Sequence, residues 1–287
     1  MDVVLPLTLG EALEAMSERA DPRPIAGGTD LMVAMNRGRE RPGTVVDLTR
    51  IDELSGWAHN GQERLGSGVT YARIETDADP DDALLQAARS VGSPQIRARG
   101  TVGGNIGTAS PAGDLLPVLA ARDADIELVS TSGRRSVPWH AFFTGPKRTA
   151  LQAGELITGA SWGSPSGPSV FAKAGPRNAM VISICSVCVQ LDDEAREVRV
   201  ATGSVGPTVL RAPEAEAFAQ AAIDEGGGWH DPSRPPRAAA LRRFGELAAE
   251  AARPIDDVRG TAAYRRHAVS VLASRLLERA LALRPGA

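Results

Sequence analysis

Apolar and polar positions along this chain change period part-way through. Leu9 to Ala20 places its apolar residues at helical spacing behind Thr8, a side chain suited to an N-cap, and Pro22 and Pro24 forbid continuation. Ile25-Ala26 then predicts a short strand, Leu31 to Met35 a helical turn, and Val45 to Leu48 and Arg64 to Val69 two further strands. Thr70 is placed to cap a short turn, and Asp81 to Val91 predicts a helix with acids in its first turn. Asp114 to Arg122 is apolar on one side and predicts a helix; Ala124 to Val129 and Arg135 to Val137 flank Ser132-Gly133 as a hairpin.

From about residue 155 strand signals cluster: Glu155 to Trp162, Val170 to Lys173, Val181 to Leu191 and Val198 to Val205, which together predict an antiparallel sheet. Beyond Pro213 the composition turns to Ala, Arg and Glu, and Arg237 to Ala252 and Thr261 to Leu283 carry helical periodicity on either side of Arg253-Pro254. Gly163 to Pro168 has linker composition, so the expected division falls near residue 165, with one domain over 1–165 and another over 166–287. The order of elements thus predicts an α/β start followed by a different ending.

Composition changes this picture little. The chain has 287 residues, 43% of them apolar and 23% charged, enough for sizeable cores. No apolar stretch approaches the roughly twenty residues of a membrane span, and Met1-Asp-Val-Val-Leu-Pro6 lacks a signal peptide's basic start, so a cytoplasmic setting is expected. A net charge of −3, with arginines scattered among acids apart from a cluster at Arg234 to Arg243, argues against nucleic-acid binding. Cys185 and Cys188 lie in an apolar, β-branched run, where positions three apart face opposite sides of a strand; they predict two small core residues and no chelate. Two cysteines are too few for an iron–sulfur cluster, and the four histidines stand far apart, so no metal site is expected.

The candidate chemistry lies in two glycine-rich segments, Ile25-Ala-Gly-Gly-Thr-Asp-Leu31 and Thr101-Val-Gly-Gly-Asn-Ile-Gly-Thr-Ala-Ser-Pro-Ala-Gly-Asp114. Paired glycines let backbone approach a ligand and aim successive N–H groups at it, so the two read as halves of one anion cradle, and a phosphorylated cofactor is the expected ligand. The second carries more donors and hydroxyls than a turn requires; the first, taken alone, is equally a plain tight turn. Neither contains the Gly-x-Gly-x-x-Gly dinucleotide fingerprint or a Walker pattern. No Ser/His/Asp or Cys/His constellation can be assembled, so no catalytic side chain is predicted and the cofactor must carry the chemistry.

Ala26 to Leu31 together with Arg99 to Leu115 closely resembles the two FAD-binding loops of the flavoprotein (medium) subunit of molybdenum hydroxylases, the xanthine dehydrogenase and carbon monoxide dehydrogenase family. Ala141-Phe-Phe-Thr-Gly145, Gly154-Glu-Leu-Ile157, Phe171-Ala-Lys173 and Gly203-Ser-Val-Gly-Pro-Thr208 are similar to later landmarks of that family, in the same order. The resemblance implies a PCMH-type FAD-binding domain of two α+β subdomains with FAD between them, then a small C-terminal domain with a three-stranded antiparallel sheet and helices.

On the same resemblance, the backbone of Ile25, Ala26, Gly27, Gly28 and Thr29 and that from Thr101 through Gly103 and Gly104 to Asn105 would hold the pyrophosphate, supplemented by the Thr29, Thr108 and Ser110 hydroxyls. Asp30, followed by Leu31, and Asp114 either accept ribityl or ribose hydroxyls or cap a helix, Asp114 with the stronger capping case. Lys173, one of only two lysines, would stand near the flavin and stabilise negative charge there; the alternative is a snorkelling side chain at a strand end. Ile157 and Val91 would wall a ring.

The family also implies partners. These are a large molybdopterin-binding subunit that hydroxylates substrate, a small subunit with two 2Fe–2S clusters that feeds electrons to FAD, an acceptor such as NAD, dioxygen or quinone, and assembly as a dimer of heterotrimers. Rival readings are a stand-alone PCMH-type flavin oxidoreductase and a flavin-free scaffold subunit.

Overall fold

Thr8 caps the first helix as its position predicts: its Oγ1 accepts the Glu11 N–H at 3.2 Å, while Glu11 reaches back to the Leu7 N–H at 2.7 Å. The computed structural model describes residues 1–59 and 61–286. Its elements, numbered along the chain, fall into two units. One comprises Met1–Asp77, Ser93–Ser110 and Asp123–Gly163; the other comprises Ala78–Gly92, Pro111–Arg122 and the chain from Ser164 onward.

In the first unit, β1 (Asp2–Val4), α1 (Leu9–Glu18), β2 (Pro22–Ile25), α2 (Leu31–Asn36) and β3 (Thr44–Asp47) form a small parallel sheet of order β1-β3-β2 with its connections. Leu9, Ala12, Leu13 and Ala15 of α1 share a core with Val46, Ile51 and Leu54. A larger antiparallel sheet has the order β4-β5-β10-β6-β7, from Trp57–His59, Gln62–Gly66, Leu156–Gly163, Asp125–Ser130 and Gly133–Pro138 respectively. The hairpin across Ser132-Gly133 is present, with Ser130 paired to Gly133. Thr70 Oγ1 accepts the Arg73 N–H at 3.2 Å and so caps α3 (Tyr71–Asp77). Short helices α5 (Pro94–Arg99), α6 (Val102–Thr108) and α8 (Trp139–Phe142), and the two-stranded β8 (Phe143–Gly145) and β9 (Arg148–Thr149), complete the unit.

One strand differs from its expectation. Leu156–Gly163 does not join the later strands; β10 pairs with β5 on one side and β6 on the other. A central strand buried on both faces reads as a continuous apolar run, and such a run does not specify which sheet it enters.

In the second unit, β11 (Ser169–Ala174), β12 (Cys185–Asp192), β13 (Glu197–Gly203) and β14 (Leu210–Arg211) form an antiparallel sheet in that order, so the three long strands expected are extended by a two-residue fourth. Helices α9 (Pro213–Glu225), α10 (Ala238–Ala251) and α11 (Ala262–Ala282) share one core with Cys185, Val187, Val189 and Leu191 of β12. Two helices from earlier in the chain, α4 (Ala83–Ser90) and α7 (Leu116–Ala121), pack on β11 and on β12 and β13 respectively. Cys185 lies in the core beneath α10 and α11, whereas Cys188 is buried on the side of Arg122 and Asp82. Burial pushes the two thiols up to about 11 and about 12, and both are free.

Candidate cofactor-binding site

β2 delivers Ile25 into the first glycine turn, and α2 begins at Leu31. Gly28 has φ of +72°, in the region glycine tolerates best. Gly27 is there for a different reason: a Cβ on it would stand 1.9 Å from the Arg99 carbonyl oxygen and 3.0 Å from Gly100 Cα. The turn therefore lies directly on the backbone that leads into the second glycine segment. The first bond within this turn runs from Met32 N–H to Gly28 O at 3.0 Å. Among the described residues, the N–H groups of Gly27, Gly28, Thr29, Asp30 and Leu31 donate to nothing. Five successive unused donors at the start of a helix are a concentration of positive dipole ends. Asp30 occupies the N-cap position of α2, but its side chain makes no cap bond, so the capping alternative falls away for it.

The second segment is not the loop its glycines predict. Thr101 caps α6, its Oγ1 accepting the Gly104 N–H at 3.1 Å and its carbonyl the Asn105 N–H at 3.0 Å. Val102 and Ile106 are buried beneath the helix, and that packing overrides the weak helix propensity of three glycines in seven residues. A Cβ on Gly103 would fall 2.6 Å from Ser67 Cβ, while the Gly103 N–H donates to Ser67 O at 2.8 Å. The Val102 N–H donates to Val69 O at 2.9 Å. Four backbone donors from Val102 to Asn105 are thus engaged inside the protein. The expected two-part anion cradle becomes one donor turn and one glycine-faced helix.

That helix still presents features of a binding face. Gly104 and Gly107 are exposed one turn apart, with Thr108 beside them; a Cβ on Gly107 would meet only Ile157 Cδ1, at 3.4 Å. Ile157, on β10, therefore borders this face. Asn105 Oδ1 is buried with no hydrogen-bond partner among the described residues, an acceptor suited to a ligand hydroxyl. Ser110 lies just beyond the left-handed Ala109 that ends α6. A ligand with a diphosphate, a polyhydroxyl chain and a flat ring fits this set: donors on the turn, an acceptor on α6, and a face without side chains.

Asp114 and Lys173 belong to the second unit, and they find each other. Lys173 Nζ donates to Asp114 Oδ2 at 2.6 Å, to Ser90 O at 2.6 Å and to Val181 O at 3.2 Å, which engages all three of its N–H groups. Its side chain is only 10% exposed and its ammonium is engaged, so it does not snorkel. Asp114 does not cap α7, whose N-cap is Leu115 without a side-chain bond; this corrects the capping expectation. Burial drives the Asp114 carboxyl above its ordinary value, and the Lys173 ammonium opposes that rise. Its Oδ1 is buried without a partner among the described residues. Val91 is the half-buried C-cap of α4.

The sequence offered no means of finding Arg99 and Ser67, whose backbones set the glycine requirement. Their only signal is proximity in space. No group of three or more His, Cys, Asp or Glu side chains among the described residues could hold a metal, and no described helix is long and apolar enough to cross a membrane.

Residues 1–161 match the family model described as the FAD binding domain in molybdopterin dehydrogenase. The chain belongs to that family. Residues 171–280 match the model of the CO dehydrogenase flavoprotein C-terminal domain. The chain is 29% identical over 292 residues to the xanthine dehydrogenase FAD-binding subunit of Escherichia coli O157:H7, covering 97% of this chain and 95% of that one. It is 35% identical over 201 residues to the nicotinate dehydrogenase FAD-subunit of Eubacterium barkeri, covering 66% and 68%. Among solved structures, carbon monoxide dehydrogenase from Hydrogenophaga pseudoflava aligns with a TM-score of 0.84 at 25% identity, over 98% of this chain and 97% of that one.

Proposed function

We propose that this chain is the FAD-binding, electron-transfer subunit of a heteromeric molybdenum hydroxylase. The observation that carries the reading is the row of unused N–H groups from Gly27 to Leu31, on a turn packed against the Arg99–Gly100 backbone that leads into a glycine-faced helix, in a chain of the FAD-binding family. When bound, FAD supplies the capacity to take up electrons singly and release them in pairs. The chain's own residues bind and orient. The turn at Ile25, Ala26, Gly27, Gly28, Thr29, Asp30 and Leu31 donates N–H groups to the diphosphate, with Asp30 left to accept sugar hydroxyls. Asn105 Oδ1 accepts a hydroxyl, Gly104, Gly107 and Thr108 offer a flat face, and Ile157 borders it. Lys173 has all three of its N–H groups engaged by Asp114, Ser90 and Val181, so it has none to give a ligand.

Electrons arrive from a small subunit with two 2Fe–2S clusters, and substrate is oxidised on a large molybdopterin-binding subunit. They leave to an external acceptor of the NAD, dioxygen or quinone class. The assembly is a dimer of heterotrimers in the cytoplasm, with residues 1–165 as the PCMH-type FAD-binding part and 166–287 as the C-terminal part. The visible spectrum of the purified chain, followed by mass determination of the acid-released chromophore, tests this reading. One FAD per chain is expected. A colourless protein that takes up no added FAD overturns the cofactor assignment, and hydroxylation of substrate by the isolated chain overturns the subunit assignment.

A further inference from the structure

Arg265 lies in the first turn of α11 and is buried, yet it serves the surface. Its Nη1 donates to the Ile184 and Ser204 carbonyls, each at 2.7 Å, and its Nη2 to Asp257 Oδ1 at 2.6 Å. A buried guanidinium is tolerated only where its partners are fixed, so it pins two surface turns at once. One, at 257–260, closes through reciprocal backbone bonds between Asp257 and Gly260, and Asp257 Oδ1 also accepts the Arg259 N–H at 2.8 Å. The other, at 175–184, is held by Lys173 at the Val181 carbonyl and by the Ile184 N–H on Ala174 O at 2.8 Å. The turns touch: a Cβ on Gly260 would stand 3.3 Å from Ile184 Cγ2.

These rigid turns carry apolar side chains outward. Val258 is fully exposed, and Met180, Ile182 and Ile255 are each more than half exposed, with Tyr264 beside them at the start of α11. Met180 holds a left-handed φ of +50°, which side-chain-bearing residues avoid. Five of the twelve large apolar side chains exposed among the described residues are therefore gathered on one anchor. Fixed, exposed apolar groups of this kind mark interaction surfaces. The rim is basic. Arg177, Arg259 and Arg266 are exposed; of the two carboxylates there, Asp256 accepts the Ala262 N–H at the start of α11 and Asp257 faces the guanidinium groups of Arg259 and Arg265, so the arginines outnumber them.

We propose that the two turns anchored by Arg265 form the docking face for a companion subunit, whose complementary surface is an apolar socket bordered by carboxylates. The inference rests on the electron-transfer subunit reading. Charge selects the occupant: a second copy related by a two-fold axis would set arginine rim against arginine rim, whereas an acidic border neutralises it.

The test uses the assembly. The tagged chain is produced with its companion subunits as wild type, V258D, I182D and, as a control on β1 in the other unit, V3D; Val3 is exposed to about the degree of Ile182. Association is measured by sedimentation at low and high salt, and FAD content is measured on each chain alone. The expected result is at least tenfold weaker association for V258D and I182D with FAD content unchanged, V3D within threefold of wild type, and wild-type association that weakens with salt. Association of both turn variants within threefold of wild type overturns the proposal, as does a wild-type homodimer that V258D abolishes. If the chain binds no FAD while V258D still loses its partners, the flavin reading fails and the docking face stands.

Discussion

A methyl group at Gly27 would stand 1.9 Å from the Arg99 carbonyl oxygen, so one of the two backbones must move to admit it. G27A is expected to lower stability by about 1–3 kcal/mol, the usual range for overpacking, and to reduce FAD content, both read from thermal melts and flavin release. Gly107 gives the opposite combination. Its Cβ would find ordinary contact with Ile157, and alanine at an exposed helical site gains up to about 1 kcal/mol over glycine. G107A should melt no lower than wild type yet bind FAD more weakly, by about tenfold if the added methyl costs about 1.4 kcal/mol on that face; unchanged affinity would remove α6 from the site. Lys173 and Asp114 provide a third case. K173M leaves a buried carboxylate without its cation and should cost about 3–5 kcal/mol, whereas K173M/D114L, which removes both charges, should recover much of that loss in denaturant titrations. The glycine pairs were legible as places of special backbone. Their division of labour was not, because Arg99 and Ser67 come into contact only after folding.

Among the elements, the features legible in sequence are those with local causes: the Thr8 cap, the Ser132-Gly133 hairpin, the long helices α10 and α11, and the buried β12 with its two cysteines. The α6 helix and the partners of β10 were not, since both are decided by packing against residues distant in the chain. Arg135 on β7 shows how such distant elements are tied. Its Nε and Nη2 donate to Glu155, just before β10, at 2.6 and 2.7 Å. The hydrogen bonds from Arg135 hold the Glu155 carboxyl below its ordinary value of 4.5, against the opposing effect of burial. A depressed folded value gives stability that is fully present above about pH 4.5 and is lost as pH falls through the folded value. E155Q should therefore melt below wild type at pH 7, by on the order of 1 kcal/mol or less because solvent screens the partly exposed Arg135, and the two curves should converge as the pH is taken below 4.5. A gap that persists at pH 3 would mean that shape, not charge, holds the strands.

At the scale of the molecule, the units are not consecutive stretches of chain. Helices α4 and α7 precede residue 123, yet they pack on strands that lie beyond residue 168. A fragment ending at residue 165 would leave Leu84, Leu85 and the whole of Leu116–Ala121 without the strands that bury them. It is expected to bind an apolar dye and to lack a cooperative melt; a sharp transition in near-ultraviolet circular dichroism would contradict this. The same threading governs synthesis. α7, buried at every position, is made about eighty residues before the end of β13, against which it packs. At about 5–20 residues per second that interval is roughly 4–16 s. For those seconds the nascent chain carries a wholly apolar helix without the strands that bury it in the finished protein, an exposure whose length can be timed from the sequence.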